Sequence, residues 1–305
     1  MKELFKDRRK CAVLLGLFGV LLFSVLRVLL LSADTDAETG AYHASYGLIA
    51  LLVVFLGGVG ALVFTLREPR TPFSPQQTAA PALVAMLAGA VVLMSSLFEL
   101  FVFVGEGIAP APMQTVSNAV DGVCLWGALL SGVGGGAALT VQGLRMMNGR
   151  KPSMLLQAAL ILPVFWLCFR LARYLLSYLG AMNMAQTFYD YAMMIMQVLF
   201  LYYFVSYVGG ARQCAERWLL FSTVGASVCS LSNVATRLFA FLDNNSSAFA
   251  ASQLAGFADA AVGALALVTA ISLMRSPSAG GPSALVTALR GESADETFPN
   301  GEESV

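Results

Sequence analysis

Eight ionisable side chains lie within stretches of this sequence that are otherwise apolar. They are four arginines and four acids: Arg27, Glu99, Asp121, Arg170, Arg173, Asp190, Arg237 and Asp259. A charge in the middle of a bilayer costs on the order of 3 kcal/mol or more, so such residues face a bundle interior, pair with one another or line a wet cavity. We therefore take these eight residues as the candidate ligand-binding site.

Arg170 and Arg173 are one helical turn apart, which is the most informative spacing in this group. Two guanidinium groups at this spacing repel each other unless acids or an anion lie between them. Arginine also binds carboxylates and phosphates through paired hydrogen bonds. The pair predicts a site for an anionic small molecule or a lipid head group. Arg27 and Arg237 would add to the positive electrostatic potential at this site. The four acids would pair with the arginines or carry protons.

Structural interpretations of the same residues stay open. Arg27 and Arg237 are close enough to helix ends to reach the membrane interface, and Asp121 and Asp190 are placed where they could begin helices at the water boundary. Tyr174 fits an interfacial aromatic belt. All eight charges could also form a self-satisfied set of ion pairs that fixes the register of the helices.

The elements that position these residues are eight apolar stretches. The chain has 305 residues, is 58% hydrophobic and 12% charged, and has a mean hydropathy of +0.74, which is typical of a polytopic membrane protein. A bilayer core requires roughly 20 apolar residues in a helix. We predict an all-α polytopic membrane protein with eight transmembrane helices, at 11–32, 45–66, 81–105, 116–142, 153–179, 188–210, 217–242 and 251–274.

The basic residues between the spans predict the orientation. Lys and Arg occur at 2–10, 67–70, 145–151, 212–217 and 275–290, whereas the alternate connections carry acids and no basic residue. The positive-inside rule then places both termini in the cytoplasm of a cell (inner) membrane. All eight ionisable residues fall in the outer half of the bilayer. A cleaved signal peptide is the alternative for the first span, but its length and Arg27 favour an uncleaved helix.

An internal duplication is suggested by charges that match between the two halves. When the halves are aligned, Asp121 falls on Asp259 and Arg27 on Arg173, and these matches are harder to obtain by composition than matches of Leu or Phe. We predict two parallel four-helix repeats, the 4+4 arrangement.

The corresponding division of the chain has four parts. Residues 1–10 form a cytoplasmic basic segment, 11–145 and 146–275 form the two repeats, and 276–305 form a disordered cytoplasmic tail. Glu99 aligns with Arg237, a charge reversal that suits a pair meeting across the pseudo-axis.

Several classes of function are disfavoured. The net charge of zero gives no basic excess for nucleic acid, and a single histidine with no CxxC motif disfavours a metal or haem site, so no cofactor is expected. The glycine runs at 57–60 and 132–136 lack a phosphate-loop lysine and instead predict close helix packing. Pro163 predicts a kink in the fifth span.

No soluble catalytic motif is present, so we expect no enzyme, with an intramembrane hydrolase using Asp121, Asp259 and Glu99 as the alternative. The sequence predicts a membrane transport or solute-binding protein that uses the outward-facing arginine site. The alternative is a non-transporting sensor or accessory subunit whose ion pairs are structural. Membrane lipids, an anionic small molecule and a protein bound to the cytoplasmic tail are the expected partners.

Overall fold

The computed structural model describes residues 8–33, 46–65, 79–106, 118–148, 153–177, 184–208, 215–242 and 252–275. Throughout these ranges the secondary structure is helical, with no strands. The helices are α1 (Arg8–Ala33), α2 (Tyr46–Phe64), α3 (Ala79–Glu106), α4 (Asn118–Met147), α5 (Met154–Ala159), α6 (Leu162–Ser177), α7 (Met184–Val208), α8 (Ala215–Leu242) and α9 (Ser252–Arg275). The predicted tail at 276–305 lies outside the described residues.

Eight helical segments are long and apolar enough to cross a membrane, with α5 and α6 together forming one of them. The eight predicted spans are thereby confirmed as helices of the required length and composition. The helix ends differ from the predicted ends by a few residues, because hydropathy changes gradually along the sequence whereas a helix ends at a defined residue. α7 begins at Met184, ahead of the predicted 188, since the polar residues Gln186 and Thr187 continue its helix.

The fifth span is interrupted beside Pro163, where a kink was predicted. α5 ends at Ala159, and α6 begins at Leu162. Proline has no N–H, so the carbonyl of Ala159 lacks the usual donor four residues later. At the break the amide of Ile161 instead donates to the carbonyl of Ala158. The C-terminal part of this span, α6, is therefore a separate helix.

α8 lies at the centre of the bundle, where it packs against α1, α7 and α9. It is the most buried of the eight segments. α3 and α4 pack along each other, α6 packs along α4, and α9 also contacts α3, so α9 joins the two groups. α2 lies at the periphery and contacts α1, α7 and α8.

Glycines allow the backbones of α3 and α4 to touch. A Cβ at Gly136 would lie 2.5 Å from the backbone nitrogen of Leu93, and a Cβ at Gly89 would lie 2.4 Å from that of Thr140. Small residues permit such close approach between membrane helices. The packing interpretation of the 132–136 run is supported here, whereas Gly57 and Gly58 of α2 have no atom of another residue within 4 Å of an added Cβ.

The lateral surface of the bundle, which surrounds the packed helices, is apolar. Side chains such as Leu21, Val54, Phe101 and Leu155 are 68%, 71%, 74% and 83% exposed. A water-facing surface rarely carries so many large exposed apolar groups, whereas a lipid-facing surface does. The surface composition agrees with a multi-pass membrane protein.

Helix packing matches the predicted duplication only in part. The pairs α3–α4 and α8–α9 are equivalent in that scheme, and both are closely packed. α1 packs along α8, however, whereas its counterpart α6 packs mainly along α4. The 4+4 repeat and its boundaries stay predictions.

Candidate functional site

The candidate site is built around the C-terminal end of α6. Helical periodicity places Arg170, Arg173 and Tyr174 on neighbouring positions of this helix, within its last two turns. Each of the three side chains contacts an acid on a different helix, namely Asp259 of α9, Asp121 of α4 and Asp190 of α7. α6 thus connects three helices at one end of the bundle.

Arg170 and Asp259 form the more buried ion pair. Nη1 and Nη2 of Arg170 donate to Oδ1 and Oδ2 of Asp259 at 2.9 and 3.3 Å. The side chains are 13% and 2% exposed, respectively. The guanidinium of Arg170 also lies over the ring of Trp166, 4.8 Å from its centroid, in a cation–π contact. The guanidinium of Arg170 is therefore held by Trp166 of its own helix and by Asp259 of α9.

Arg173 and Asp121 form the more accessible pair. Nε of Arg173 donates to Oδ1 of Asp121 at 2.8 Å, and Nη2 donates to Oδ2 at 3.4 Å. The two side chains are 16% and 23% exposed. Asp121 lies in the first turn of α4, as predicted, but it also pairs with an arginine on a neighbouring helix.

Asp190 belongs to a buried network that includes an asparagine. Oδ2 of Asp190 accepts from the hydroxyl of Tyr174 at 2.8 Å, and Oδ1 accepts from Nδ2 of Asn233 at 3.1 Å. Oδ1 of Asn233 in turn accepts from Nη1 of Arg27 at 3.1 Å. A single carboxamide therefore connects the acid of α7 to the arginine of α1.

Arg27 is fully enclosed. Its side chain is 1% exposed, and its guanidinium lies 3.9 Å from the centroid of the Tyr189 ring. The Tyr189 hydroxyl is hydrogen-bonded to Ser232 of α8. The interpretation that Arg27 extends to the membrane interface is therefore wrong, because its cation–π and hydrogen-bond partners lie inside the bundle.

Asp190 is also placed more deeply than a residue at the start of a helix. α7 begins six residues earlier, at Met184, and Asp190 is buried. The alternative that Asp190 only begins α7 at the water boundary is wrong. Its carboxylate instead receives two hydrogen bonds from other helices.

Glu99 and Arg237 complete the set of eight. Glu99 of α3 lies within electrostatic range of Arg170, Arg173 and Asp259. Arg237 of α8 packs against the start of α9, where its Nη1 would lie 3.0 Å from a Cβ added at Gly256. The expected meeting of Glu99 and Arg237 across a pseudo-axis stays a prediction.

Below the Arg170–Asp259 pair lies a buried glutamine. Nε2 of Gln197 donates to Oγ of Ser230 at 3.0 Å and to the backbone carbonyl of Asp259 at 3.4 Å. The side chain is 0% exposed, and its Oε1 has no hydrogen-bond partner among the described residues. The polar region therefore continues from the two ion pairs toward the middle of the bundle.

Comparisons of the chain with protein-family models, with curated proteins and with solved structures find no match. The chemistry of this site therefore has to be argued from its own geometry. Among the described residues, no group of three or more His, Cys, Asp or Glu side chains is placed to hold a metal ion.

Sequence reasoning missed three neutral members of the network. No sequence pattern assigned a role to Asn233 or Tyr189, and Tyr174 was predicted to belong to an interfacial aromatic belt. A signal was available for Asn233, because a carboxamide inside an apolar span is costly without partners. Tyrosine is common near membrane interfaces, so the sequence held no comparable signal for Tyr174 or Tyr189.

Proposed function

We propose that this chain is a cell-membrane protein that binds and transports an anionic small molecule, or a lipid head group, at an outward-facing arginine-containing site. Both termini lie in the cytoplasm in this proposal. The supporting observation is the convergence of Arg170, Arg173 and Tyr174 on acids from three other helices at one end of the bundle. Ligand sites in helical membrane proteins form between helices in this way.

The outward orientation is supported by charges at the opposite end of the bundle. Arg145 is in the last turn of α4, whereas Asp121 is in the first. Arg217 is in the first turn of α8, far along the helix from Asn233. Basic residues favour the cytoplasmic side, so the polar site would face outward.

A gated carrier fits the inner half of the bundle better than an open channel. The hydroxyls of Thr223 and Ser227 bond to carbonyls of their own helix, and the backbones of α3 and α4 touch at Gly89 and Gly136. These residues offer no free polar groups for a permanent path. Transport would therefore require the helices to rearrange so that the site opens to the cytoplasm.

A non-transporting sensor or accessory subunit is the second candidate, and the closed ion pairs favour it. Both Arg170 and Arg173 already make two hydrogen bonds to a carboxylate. In that function the network only fixes the helices, and the cytoplasmic tail binds a protein partner. Membrane lipids would contact the apolar outer surface under either function.

The duplication is proposed on a narrower basis. Asp121 and Asp259, which match in the alignment, both accept from arginines of α6. A two-fold pair of repeats would instead place Arg27, the counterpart of Arg173, beside Asp259, so the proposal rests on the charge matches in the sequence and on the close packing of both α3–α4 and α8–α9. A single chain built from two copies of residues 11–145 that folds in a membrane would support this origin.

A binding screen separates the two functions. The purified full-length protein is melted in detergent with anionic metabolites and anionic lipids, alongside Arg173→Gln and the double variant Arg170→Gln/Arg173→Gln. A ligand that binds only the folded protein raises its melting temperature. A shift that is lost in Arg173→Gln, although that variant remains folded, supports the binding site and calls for an uptake assay.

The accessory function predicts a different pattern. No anion would shift the melting temperature of the wild type or of Arg173→Gln, whereas the double variant loses stability under either function because Asp259 loses its partner. Lys10→Gln is the matched control, because Lys10 lies in the first turn of α1 at the opposite end of the bundle. A ligand shift that is also lost in Lys10→Gln would contradict the assignment to the outer site.

A further inference from the structure

The more enclosed arginine of the α6 pair, Arg170, is already bound to an acid. Both terminal nitrogens of Arg170 donate to the carboxylate of Asp259, at 2.9 and 3.3 Å. An anionic ligand that takes the same two nitrogens has to displace this carboxylate. Binding at Arg170 is therefore an exchange of one carboxylate for another anion.

The displaced carboxylate has no access to water. The Asp259 side chain is 2% exposed, and its neighbours in α9 are packed against α8 and α3. A buried charge that loses its partner is strongly unfavourable, and a carboxylate in this position takes up a proton. Protonation also cancels the added negative charge, so the low-dielectric interior keeps the same net charge before and after binding.

We propose that the outer site takes up one proton on Asp259 with each anionic ligand that it binds, an inference that rests on the proposed function. A proton from the outer water forms an O–H bond with one Oδ atom of Asp259. The two hydrogen bonds from Arg170 to Asp259 break and form again to oxygens of the ligand. Arg170 stays protonated throughout, and one positive and one negative charge enter together.

Gln197 contacts the backbone of Asp259 and carries a spare buried acceptor. An uncharged carboxyl group inside a bundle still has a donor to satisfy. Gln197 contacts the backbone carbonyl of Asp259, and its own Oε1 is a buried acceptor to which no described residue donates. The residue beside Asp259 therefore has the hydrogen-bonding capacity that the protonated state needs.

The charged groups around Asp259 come from several helices. Glu99 of α3 is within electrostatic range of it, Arg170 of α6 pairs with it, and Arg237 of α8 lies over Gly256, one turn earlier in α9. On the α1 and α7 sides, Arg27 and Asp190 are linked through Asn233 in the neighbouring network.

Asp259 is the acid best placed for this exchange. Asp121 is 23% exposed, so it can be solvated without a proton when Arg173 leaves it. Asp190 accepts hydrogen bonds from Tyr174 and Asn233, and these donors stabilise its charged form. Asp259 combines deep burial with dependence on a single arginine for both of its oxygens.

The experiment measures anion binding as a function of pH. Methanesulfonate and nitrate are suitable probes, because each carries a single negative charge that does not change between about pH 5.5 and about pH 7.5. With the full-length protein in detergent, we expect wild-type affinity to rise up to about tenfold for each unit that the pH is lowered, as one linked proton requires. Asp259→Asn should bind at high pH as tightly as wild type does at low pH, without the pH dependence.

Asp121→Asn and Glu99→Gln are the matched controls and should retain the pH dependence. If Asp259→Asn keeps it, or Glu99→Gln removes it, the proton is not carried by Asp259 and the inference fails while the binding site stands. If neither wild type nor Asp259→Asn binds either probe at any pH, the proposed function fails as well.

A second measurement does not depend on any variant. Wild-type protein in weak buffer should remove one proton from solution for each anion bound, which an indicator dye reports. Anion binding with no proton uptake at any pH would overturn the proposal even if Asp259→Asn does not fold.

Discussion

At the scale of single residues, the network depends on a neutral side chain as much as on its charges. Asn233 presents its oxygen to Arg27 and its amide nitrogen to Asp190, each at 3.1 Å. An arginine requires an acceptor and a carboxylate requires a donor, and a carboxamide supplies both. Asn233 is therefore the residue whose chemistry is hardest to replace at this position.

Replacement of Asn233 by Leu should lower the free energy of unfolding by about 1–2 kcal/mol, because Arg27 and Asp190 each lose a buried hydrogen bond in an environment without water. Unfolding by sodium dodecyl sulfate in mixed micelles measures this change. Val234→Ala is the neighbouring control and should have a smaller effect. Equal stability of Asn233→Leu and wild type would show that the bridge contributes nothing.

The two ion pairs should differ in their contribution to stability. Arg170→Gln leaves Asp259 buried without its main partner and should cost about 3 kcal/mol, within the range for breaking a buried pair. Arg173→Gln breaks a pair that is already partly accessible to solvent, and it should lower the free energy of unfolding by about 1 kcal/mol. The same micelle titration tests the order, and a larger loss for Arg173→Gln would contradict the difference in burial.

The sequence predicted which charges lie within the spans but not how they pair. Intramembrane arginines and acids are recognisable because their cost in lipid demands partners. Whether Arg170 meets Asp259 or Asp121 depends on which helices are neighbours, and packing across the whole bundle sets α6 against α4 and α7 with α9 within reach of Arg170. Hydropathy and periodicity contain no information on that order.

At the scale of helices, backbone contact between α3 and α4 is the strongest constraint. Gly89, Gly136 and Gly143 each face backbone atoms of the other helix at distances that leave no room for a Cβ. Backbone atoms cannot move aside as the end of a flexible side chain can. These glycines therefore set the distance between the two helices.

Gly136→Ala should lower stability by about 2 kcal/mol or more, because the added methyl group forces the helices apart. Gly57→Ala in α2 is the matched control, since nothing lies within 4 Å of its added Cβ. That control should be neutral or stabilising by about 0.5–1 kcal/mol through its higher helix propensity. Thermal unfolding in detergent compares the two, and similar effects would contradict the packing argument.

The sequence predicted the role of the 132–136 glycines correctly but treated the 57–60 run in the same way. Both runs have the same composition, and only the position of α2 at the edge of the bundle distinguishes them. Pro163 was more informative. A missing N–H has a local effect on the backbone, so the disruption of the fifth span could be predicted from that residue alone.

At the scale of the whole molecule, the eight spans were predictable because hydrophobic length is a property of each segment by itself. The orientation is predicted from the same sequence by its basic residues. Green fluorescent protein fused to the C-terminus should fluoresce in bacterial cells, because it folds in the cytoplasm and not after export through the general secretory pathway. A dark but correctly inserted fusion, with activity of alkaline phosphatase at the same position, would reverse the predicted orientation.

The backbone contact between α3 and α4 also has a mechanical consequence. Two helices that touch through their backbones move as one rigid body, because no side chain between them can be compressed. The bundle can then deform most easily where helices contact each other through side chains. In this way α6 contacts α7 through Tyr174 and α9 through Arg170. The interruption at Leu160 and Ile161 separates α6 from α5. The start of α6 is fixed, because a Cβ added at Gly135 of α4 would lie 2.6 Å from the backbone nitrogen of Pro163, so α6 can tilt only about this point.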